Sequence, residues 1–294
     1  MADIVYLNGN IIPQSEAKLS PFNHGFLYSY GLFETMRVYN GAIFRLERHL
    51  IRLRKAAYTL RIESELGLFN LSTACYDILE VNRLTDARLR LTVTLGEGDI
   101  TPNPATSNDI TVFIAAKNLT PLSQENYHQG FQAIISAIRR NSRSPLSQLK
   151  TTGYLENILA KHEAKIIGAD EAVLLNEKGL VAEGSSSNIF IVSNGKLFTP
   201  SLENGVLPGI TRETVLELAQ SLGIKTAERN IKLEMLMEAD EVFFTNSIIE
   251  IMPVTMIDYK PIGGGEPGII TKKLISAYND LVINYQIKRT NLWK

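Results

Sequence analysis

The sequence predicts an α+β protein built from two domains. Its 294 residues are enough for two domains of ordinary size. Helical and strand-like hydrophobic patterns occur in both halves, and a polar, unpatterned stretch at 117–130 separates them. The closely spaced short strands of 172–199 indicate a meander that curls toward a partly closed barrel. We therefore expect one domain at 1–119 and a second at 120–294.

Composition narrows the class of protein. Hydrophobic residues make up 45% of the chain and charged residues 21%, so a real core is available. The net charge of -1 disfavours nucleic acid and anionic membranes as partners. The single cysteine, Cys75, excludes a disulfide framework. The N-terminus does not resemble a signal peptide, and no apolar run approaches the roughly 20 residues that span a bilayer, so we expect a cytoplasmic protein without a membrane partner.

The first half begins with a hairpin. Residues 3–7 and 10–13 read as two strands joined by Asn8-Gly9, a strong type I′ turn signal. A helix is predicted over 44–62 because its apolar residues recur at spacings of three and four along one stripe. Further predicted elements of this half are a strand at 35–39, a helix at 68–81 and a strand at 110–115.

Two stretches of the first half carry candidate binding residues. The aromatic-rich loop that precedes residue 35 contains Tyr28 and Phe33, and it reads either as packing under a sheet or as the wall of a small-molecule pocket. Strict alternation over 87–95 places Arg88 and Arg90 on one strand face and leucines on the other. Such a strand either lies at a sheet edge facing water or directs two guanidiniums at an anionic ligand.

The second half alternates strands and helices. The predicted elements are strands at 131–138, 172–175, 180–183, 187–192, 196–199 and 241–245, and helices at 154–167, 212–222, 233–238 and 269–285. Thr211 is a natural N-cap for the helix at 212–222. Because Gly209 precedes that helix start, its free amides also suit an anion or a phosphate.

Lys150 is the central candidate for chemistry. An extended segment over 146–150 is predicted to deliver it to a small-residue turn that precedes the helix at 154–167. A lysine held out of bulk water at such a junction becomes a nucleophile, because desolvation lowers its pKa. The alternative is an ordinary surface lysine, which is the common fate of this residue type.

Other features of the second half favour the nucleophile. Glu183 stands just before a run of small polar residues, and the turns at 209–211 and 246–247 are rich in hydrogen-bond donors. Pyridoxal 5′-phosphate needs a lysine for its Schiff base, a carboxylate for its pyridine nitrogen and a helix N-terminus for its phosphate. The four histidines show no metal-ligand spacing, so no metal is expected, and hydrolase, nucleotide-triphosphatase and dinucleotide motifs do not occur.

At these residues the sequence resembles the fold-type IV pyridoxal-phosphate enzymes, and the resemblance covers essentially the whole chain. The motifs that carry it are GLFET at 31–35, Glu47 through Arg52, LK at 149–150, YLEN at 154–157, EGSSSN at 183–188, LPGITR at 207–212 and TNS at 245–247. The resemblance implies a small α/β N-terminal domain, a larger barrel-like C-terminal domain and a homodimer.

The resemblance also implies a role for each matching residue. Lys150 would form the Schiff base and shuttle protons, and Glu183 would face the pyridine nitrogen. Tyr154 would lie near the 3-hydroxyl of the cofactor. The phosphate and its surroundings would be contacted by Arg52, Leu207, Gly209, Ile210, Thr211, Asn246 and Ser247.

Within that family the sequence is most similar to aminodeoxychorismate lyases of Gram-positive type. The matches are LSPFNHGFLY at 19–28, FETMR at 33–37 and TNSIIEIMP at 245–253. Thr35 matches the threonine that lyases place beside the catalytic lysine, where a hydroxyl can relay a proton. The implied reaction gives 4-aminobenzoate and pyruvate. We expect Arg88 and Arg90 to bind the carboxylates of the substrate, with Tyr28 and Phe33 as walls of its pocket.

Three alternatives remain. A D-amino-acid aminotransferase also fits the EGSSSN motif, but the loop at 96–102 reads GEGDITP and lacks the arginine and histidine with which those enzymes trap a carboxylate. A branched-chain aminotransferase ranks below it. A ligand-binding protein without catalysis requires Lys150 and Glu183 both to be structural.

Overall fold

The computed structural model describes residues 3–107 and 109–290, with side chains through residue 286. Residues 1–2, 108 and 291–294, which the predicted domains include, lie outside this description. The helices are α1 His24–Tyr28, α2 Leu46–Thr59, α3 Glu63–Leu66, α4 Leu71–Val81, α5 Gln124–Gln129, α6 Leu155–Ile166, α7 Ile210–Ser221, α8 Leu233–Met237 and α9 Ile269–Thr290. None of them combines the length and hydropathy that crossing a bilayer requires.

Strands form two separate sheets. The first contains β1 Ile4–Leu7, β2 Asn10–Pro13, β3 Gly31–Tyr39, β4 Ala42–Ile43, β5 Ala87–Leu95 and β6 Ile110–Asn118. The second contains β7 Phe131–Arg140, β8 Glu171–Asn176, β9 Val181–Gly184, β10 Asn188–Ser193, β11 Lys196–Pro200, β12 Thr226–Arg229, β13 Glu241–Asn246, β14 Glu250–Ile257 and β15 Lys260–Pro261. The predicted α+β class is confirmed.

Contacts divide the described chain into two compact units. The first unit takes the residues up to Thr120, the short segment Leu149–Gly153 and the residues from Tyr285 onward. The second unit takes Pro121–Gln148 and Tyr154–Asn284. A boundary between 119 and 120 would give the segment Leu149–Gly153 to the second domain, whereas its contacts are with the first unit.

The first sheet is antiparallel, in the order β2-β1-β6-β5-β3-β4. Its opening hairpin has the predicted turn, with Asn8 and Gly9 both at positive φ. One face of the sheet packs on α2 and α4, where Leu46, Leu50 and Leu53 of the predicted stripe are buried. β5 lies between β3 and β6, so the interpretation of 87–95 as an edge strand is wrong.

The second sheet has the order β12-β11-β10-β13-β14-β7-β8-β9, with β15 beside β14. The strands of the predicted meander form, but β10 pairs with β13 and does not continue from β9. The strand β14 was not predicted, since Pro253 interrupts its pattern, yet it lies between β13 and β7. α5 was also missed because its residues are polar, and Ser123 caps it with a capping box.

Candidate active site

Lys150 belongs to a segment that extends the first sheet. The carbonyl of Lys150 accepts the amide of Phe33 at 2.9 Å, and Thr151 forms a bridge with Leu32 on β3. Thr152 donates its amide to the Gly31 carbonyl at 2.9 Å. The residues before this segment are not extended as expected, because 145–148 form a 3-10 turn. The backbone of Lys150 is thus bonded to β3, the strand that contains the GLFET motif.

The side chain of Lys150 shares an aromatic ring with an arginine. Its Nζ lies 4.5 Å from the centroid of the Phe33 ring, and Cζ of Arg90 lies 3.8 Å from the same centroid. Both distances are within the range of a cation–π interaction. Phe33 therefore brings two of the predicted site cations together, and the concentrated positive charge favours an anionic partner.

One face of the first sheet collects further predicted residues. In the β3–β5 register Thr35 is opposite Arg90, and Arg37 is opposite Arg88. Because side chains alternate along a strand, Phe33 and Thr35 share a face, and directly opposed residues share it too. Arg88 and Arg90 are exposed on it, as the alternation predicted. One side of the sheet thus contains Thr35, Arg88, Arg90 and the Phe33 ring that contacts Lys150.

Arg52 lies on α2 and contacts a carboxylate. Its Nε donates to Oε1 of Glu34 at 2.8 Å, and its Nη2 donates to Oε2 at 2.5 Å. Nδ1 of His49 lies 2.7 Å from the same Oε2. Burial would raise the pKa of Glu34, but the charge of Arg52 and the bond from His49 lower it to about 2. Burial lowers the pKa of His49, so it is neutral at pH 7 and donates to the carboxylate.

Tyr28 has local partners of its own. Its hydroxyl donates to the carbonyl of Ile100, and its ring meets His24 edge-on at 5.2 Å. Nε2 of His24 lies 2.8 Å from the carbonyl of Asp99. The end of α1 is therefore fastened to the loop at 96–102, the stretch that separates the lyase from the D-amino-acid aminotransferase interpretation.

In the second unit Glu183 is a buried carboxylate with a partner on each of its two oxygens. Its Oε2 accepts the amide of Leu207 at 3.0 Å, and its Oε1 lies 3.3 Å from Nη2 of Arg140. Arg140 also donates to the carbonyls of Ser147 and Gly205. Sequence reasoning missed Arg140, whose only signal was its position in the strand that leads toward Lys150. Ionic pairing allows a carboxylate to be buried.

The N-terminus of α7 has the form of an anion site. Gly209 is its N-cap and supplies no capping side chain, and Ile210 and Thr211 are buried in the first turn. The expectation that Thr211 is the N-cap is wrong, because the helix starts one residue before it. A Cβ on Gly209 would lie 1.9 Å from Oδ1 of Asn188, whose amide donates to the Leu207 carbonyl at 2.9 Å. Only glycine fits this close approach.

The small polar run after Glu183 gathers two other predicted residues. Tyr154 donates its hydroxyl to the carbonyl of Ser185 at 3.3 Å, and Asn246 donates its side-chain amide to the carbonyl of Ser186 at 3.0 Å. Oδ1 of Asn246 accepts the amides of Ile248 and Ile249, which shapes the turn that contains Ser247. The small polar run is thereby hydrogen-bonded to both Tyr154 and Asn246.

The donor set of the described residues suits a phosphorylated aldehyde better than a metal. These residues contain no group of three histidine, cysteine or acidic side chains able to hold a metal ion. They do contain the amine of Lys150, the buried carboxylate of Glu183 and a helix N-terminus that begins at Gly209. A cavity of about 360 Å³ in the second unit, lined by Tyr127, Glu250 and Lys272 among others, contains none of the predicted site residues.

Comparison with known proteins identifies the family. The family Amino-transferase class IV matches residues 31–257. The chain is 40% identical over 285 residues to a "putative branched-chain-amino-acid aminotransferase" of Methanocaldococcus jannaschii, covering 97% of this chain and 98% of that protein. It is 36% identical over 286 residues to the aminodeoxychorismate lyase of Bacillus subtilis, covering 96% and 95%.

Solved structures agree with the sequence relatives. A branched-chain amino acid aminotransferase of Thermoproteus uzoniensis, solved with norvaline, has a TM-score of 0.88 and 34% identity to this chain, with 98% and 97% of the two chains covered. Another such aminotransferase, solved with pyridoxamine 5′-phosphate, has a TM-score of 0.89 and 33% identity, with 97% and 95% covered. The predicted resemblance to fold-type IV enzymes and the predicted pyridoxal phosphate cofactor are confirmed. The chain belongs to the class IV aminotransferase family.

Proposed function

We propose that this class IV enzyme uses pyridoxal 5′-phosphate to convert 4-amino-4-deoxychorismate into 4-aminobenzoate and pyruvate. When bound, the cofactor supplies an electron sink. In this proposal the Lys150 amine would hold the cofactor and would remove the proton at C4 of the substrate. Glu183, kept in place by Arg140 and the Leu207 amide, would face the pyridine nitrogen. Arg52, Ser247 and the amides of Ile210 and Thr211 would hold the phosphate.

The observation that carries the proposal is the shared sheet face. Thr35 lies two residues from Phe33, whose ring contacts the Lys150 amine, and it is opposite Arg90. A hydroxyl there supports proton relay during elimination. Arg88 and Arg90 suit a substrate with two carboxylates, although glutamate in a transamination has two as well. Thr35 is therefore the residue that favours the lyase.

A branched-chain aminotransferase is the second candidate. The 40% identity to the Methanocaldococcus jannaschii protein favours it. Transamination would use the same Lys150 and the same cofactor contacts, so those residues do not separate the two reactions. A D-amino-acid aminotransferase gains no comparable support from the loop at 96–102, which is acidic and holds Tyr28.

Two parallel assays of the purified protein test the proposal. One supplies enzymatically generated aminodeoxychorismate and follows fluorescent 4-aminobenzoate. The other supplies 2-oxoglutarate with branched-chain L-amino acids or D-alanine. We expect turnover in the first assay and none after Lys150→Ala. Turnover only in the second assay would contradict the lyase.

Variants at Thr35 sharpen that test. Thr35→Val removes the hydroxyl at nearly constant volume, and we expect it to lower lyase kcat about 100-fold, as general acid–base catalysis implies. Thr35→Ser keeps the hydroxyl and should retain most of the rate. Equal losses in both variants would show that the hydroxyl is not the feature that matters.

A further inference from the structure

Glu34 and His49 form a buried pair that the proposed chemistry does not use. Both side chains are 1% exposed. His49 and Arg52 lie three residues apart on α2, so they face the same side and reach the same carboxylate. Glu34 alternates with Phe33 and Thr35 along β3 and therefore points to the opposite side of the sheet.

We infer that Glu34 and His49 are positioning residues, which fix the Arg52 guanidinium so that it binds a phosphate monoester. The inference rests on the phosphate role proposed for Arg52. Glu34 engages Nε and Nη2 together, and such a two-point contact sets the plane of the guanidinium as well as its position. The edge that carries Nη1 is consequently directed away from the carboxylate.

His49 completes the arrangement by holding the carboxylate itself. Its Nδ1 bonds to Oε2, the oxygen that also accepts Nη2 of Arg52. Arg52 and Lys150 both lie close enough for their charges to disfavour a protonated imidazole. A neutral histidine orients Glu34 without neutralising it, so the full negative charge of Glu34 remains for Arg52.

Charge and positioning predict opposite effects when Glu34 is neutralised. The carboxylate cancels the charge of Arg52, so a site that works by charge alone would bind phosphate more tightly without it. If Glu34 instead holds the guanidinium in place, its loss weakens phosphate binding despite the gain in net positive charge. The sign of the change therefore separates the two explanations.

The experiment compares two probes on the full chain freed of cofactor. Dissociation constants for pyridoxal 5′-phosphate and for pyridoxal are measured by fluorescence titration, and their ratio isolates the phosphate contribution. We expect Glu34→Gln to reduce the preference for the phosphorylated probe roughly tenfold, as loss of a charged hydrogen bond implies, with little change for pyridoxal. A preference that is unchanged or stronger would overturn the inference.

Two further variants guard against misfolding and against failure of the underlying proposal. His49→Gln keeps a side-chain donor and should stay within about threefold of the native preference for the phosphorylated probe, since the hydrogen bond to Glu34 is retained. His49→Leu removes the donor and should reduce that preference as much as Glu34→Gln does. Equal preference in the two His49 variants would contradict the role of His49. Arg52→Ala tests the proposed function separately: if it leaves the preference intact, Arg52 does not hold the phosphate and the inference falls with it.

Discussion

At the scale of single residues, the buried carboxylate–histidine pair makes stability depend on pH. The folded chain keeps His49 neutral with a lowered pKa, while the unfolded chain protonates it near 6.5. Below that pH the unfolded state binds a proton that the folded state does not bind, so the free energy of unfolding falls. The pKa of Glu34, at about 2 when folded and 4.5 otherwise, adds a further loss as the pH drops from 4.5 toward 2.

We therefore expect His49→Gln to flatten the acid limb of the stability curve. The free energy of unfolding, measured in urea at about pH 7.5, 6.0 and 5.0, should fall less steeply in the variant than in the native chain. One proton limits the difference in slope to about 1.4 kcal/mol per pH unit. Parallel curves would show that His49 titrates alike in both states. The other three histidines are common to both proteins and cancel in the comparison.

Residue types and spacing pointed to the candidate site residues that lie in local sequence motifs. Lys150, Glu183 and Gly209 each lie in a motif whose neighbours carry the same signal. The pairs Arg140–Glu183 and Glu34–His49 were not predicted, because each joins two elements that only the folded sheet or the packed helix brings together. Neither pair leaves a periodic pattern in the chain.

At the scale of elements, the N-terminus of α7 depends on one glycine. Gly209→Ala would push a Cβ against Oδ1 of Asn188 and disturb the first turn. We expect the affinity for pyridoxal 5′-phosphate to fall roughly tenfold or more, measured by cofactor titration, because the amides proposed to hold the phosphate would shift. Gly264→Ala is the matched control, since a Cβ there meets open space. Similar affinity in both variants would remove α7 from the phosphate site.

Elements with a clean period were predicted, and elements with mixed signals were not. α2 follows its apolar stripe, although it ends at Thr59 and not at 62. β5 was predicted with the right faces, but its place in the sheet was left open, since alternation looks the same in an edge strand and in an interior strand with one exposed face. The sequence order of strands does not specify which neighbours pair.

At the scale of the whole molecule, the lysine segment joins the first unit through backbone bonds and through its side chains, among them the Thr152 hydroxyl, which donates to the Ser29 carbonyl at 2.8 Å. Leu149 packs, partly buried, against the core of the first sheet. We expect Leu149→Ala to cost about 1–2 kcal/mol and to speed hydrogen exchange at the amides of Phe33 and Thr152, read by mass spectrometry. Leu146→Ala, on an exposed side chain of the same approach, should do neither. Unchanged exchange after Leu149→Ala would mean that the packing of Leu149 is not needed to hold the segment.

The path of the chain through Leu149–Gly153 also has a consequence for synthesis. The residues up to Thr120 are synthesised before the segment Leu149–Gly153, which bonds to the part of β3 around Gly31 and Phe33. During translation the carbonyl of Gly31 and the amide of Phe33 therefore lack these hydrogen-bond partners until the later segment has been synthesised. If relatives exchanged the gene segment for the amino-terminal residues, Leu149–Gly153 would still come from the original gene. We expect such a hybrid to fold only where this segment fits the β3 of the other relative.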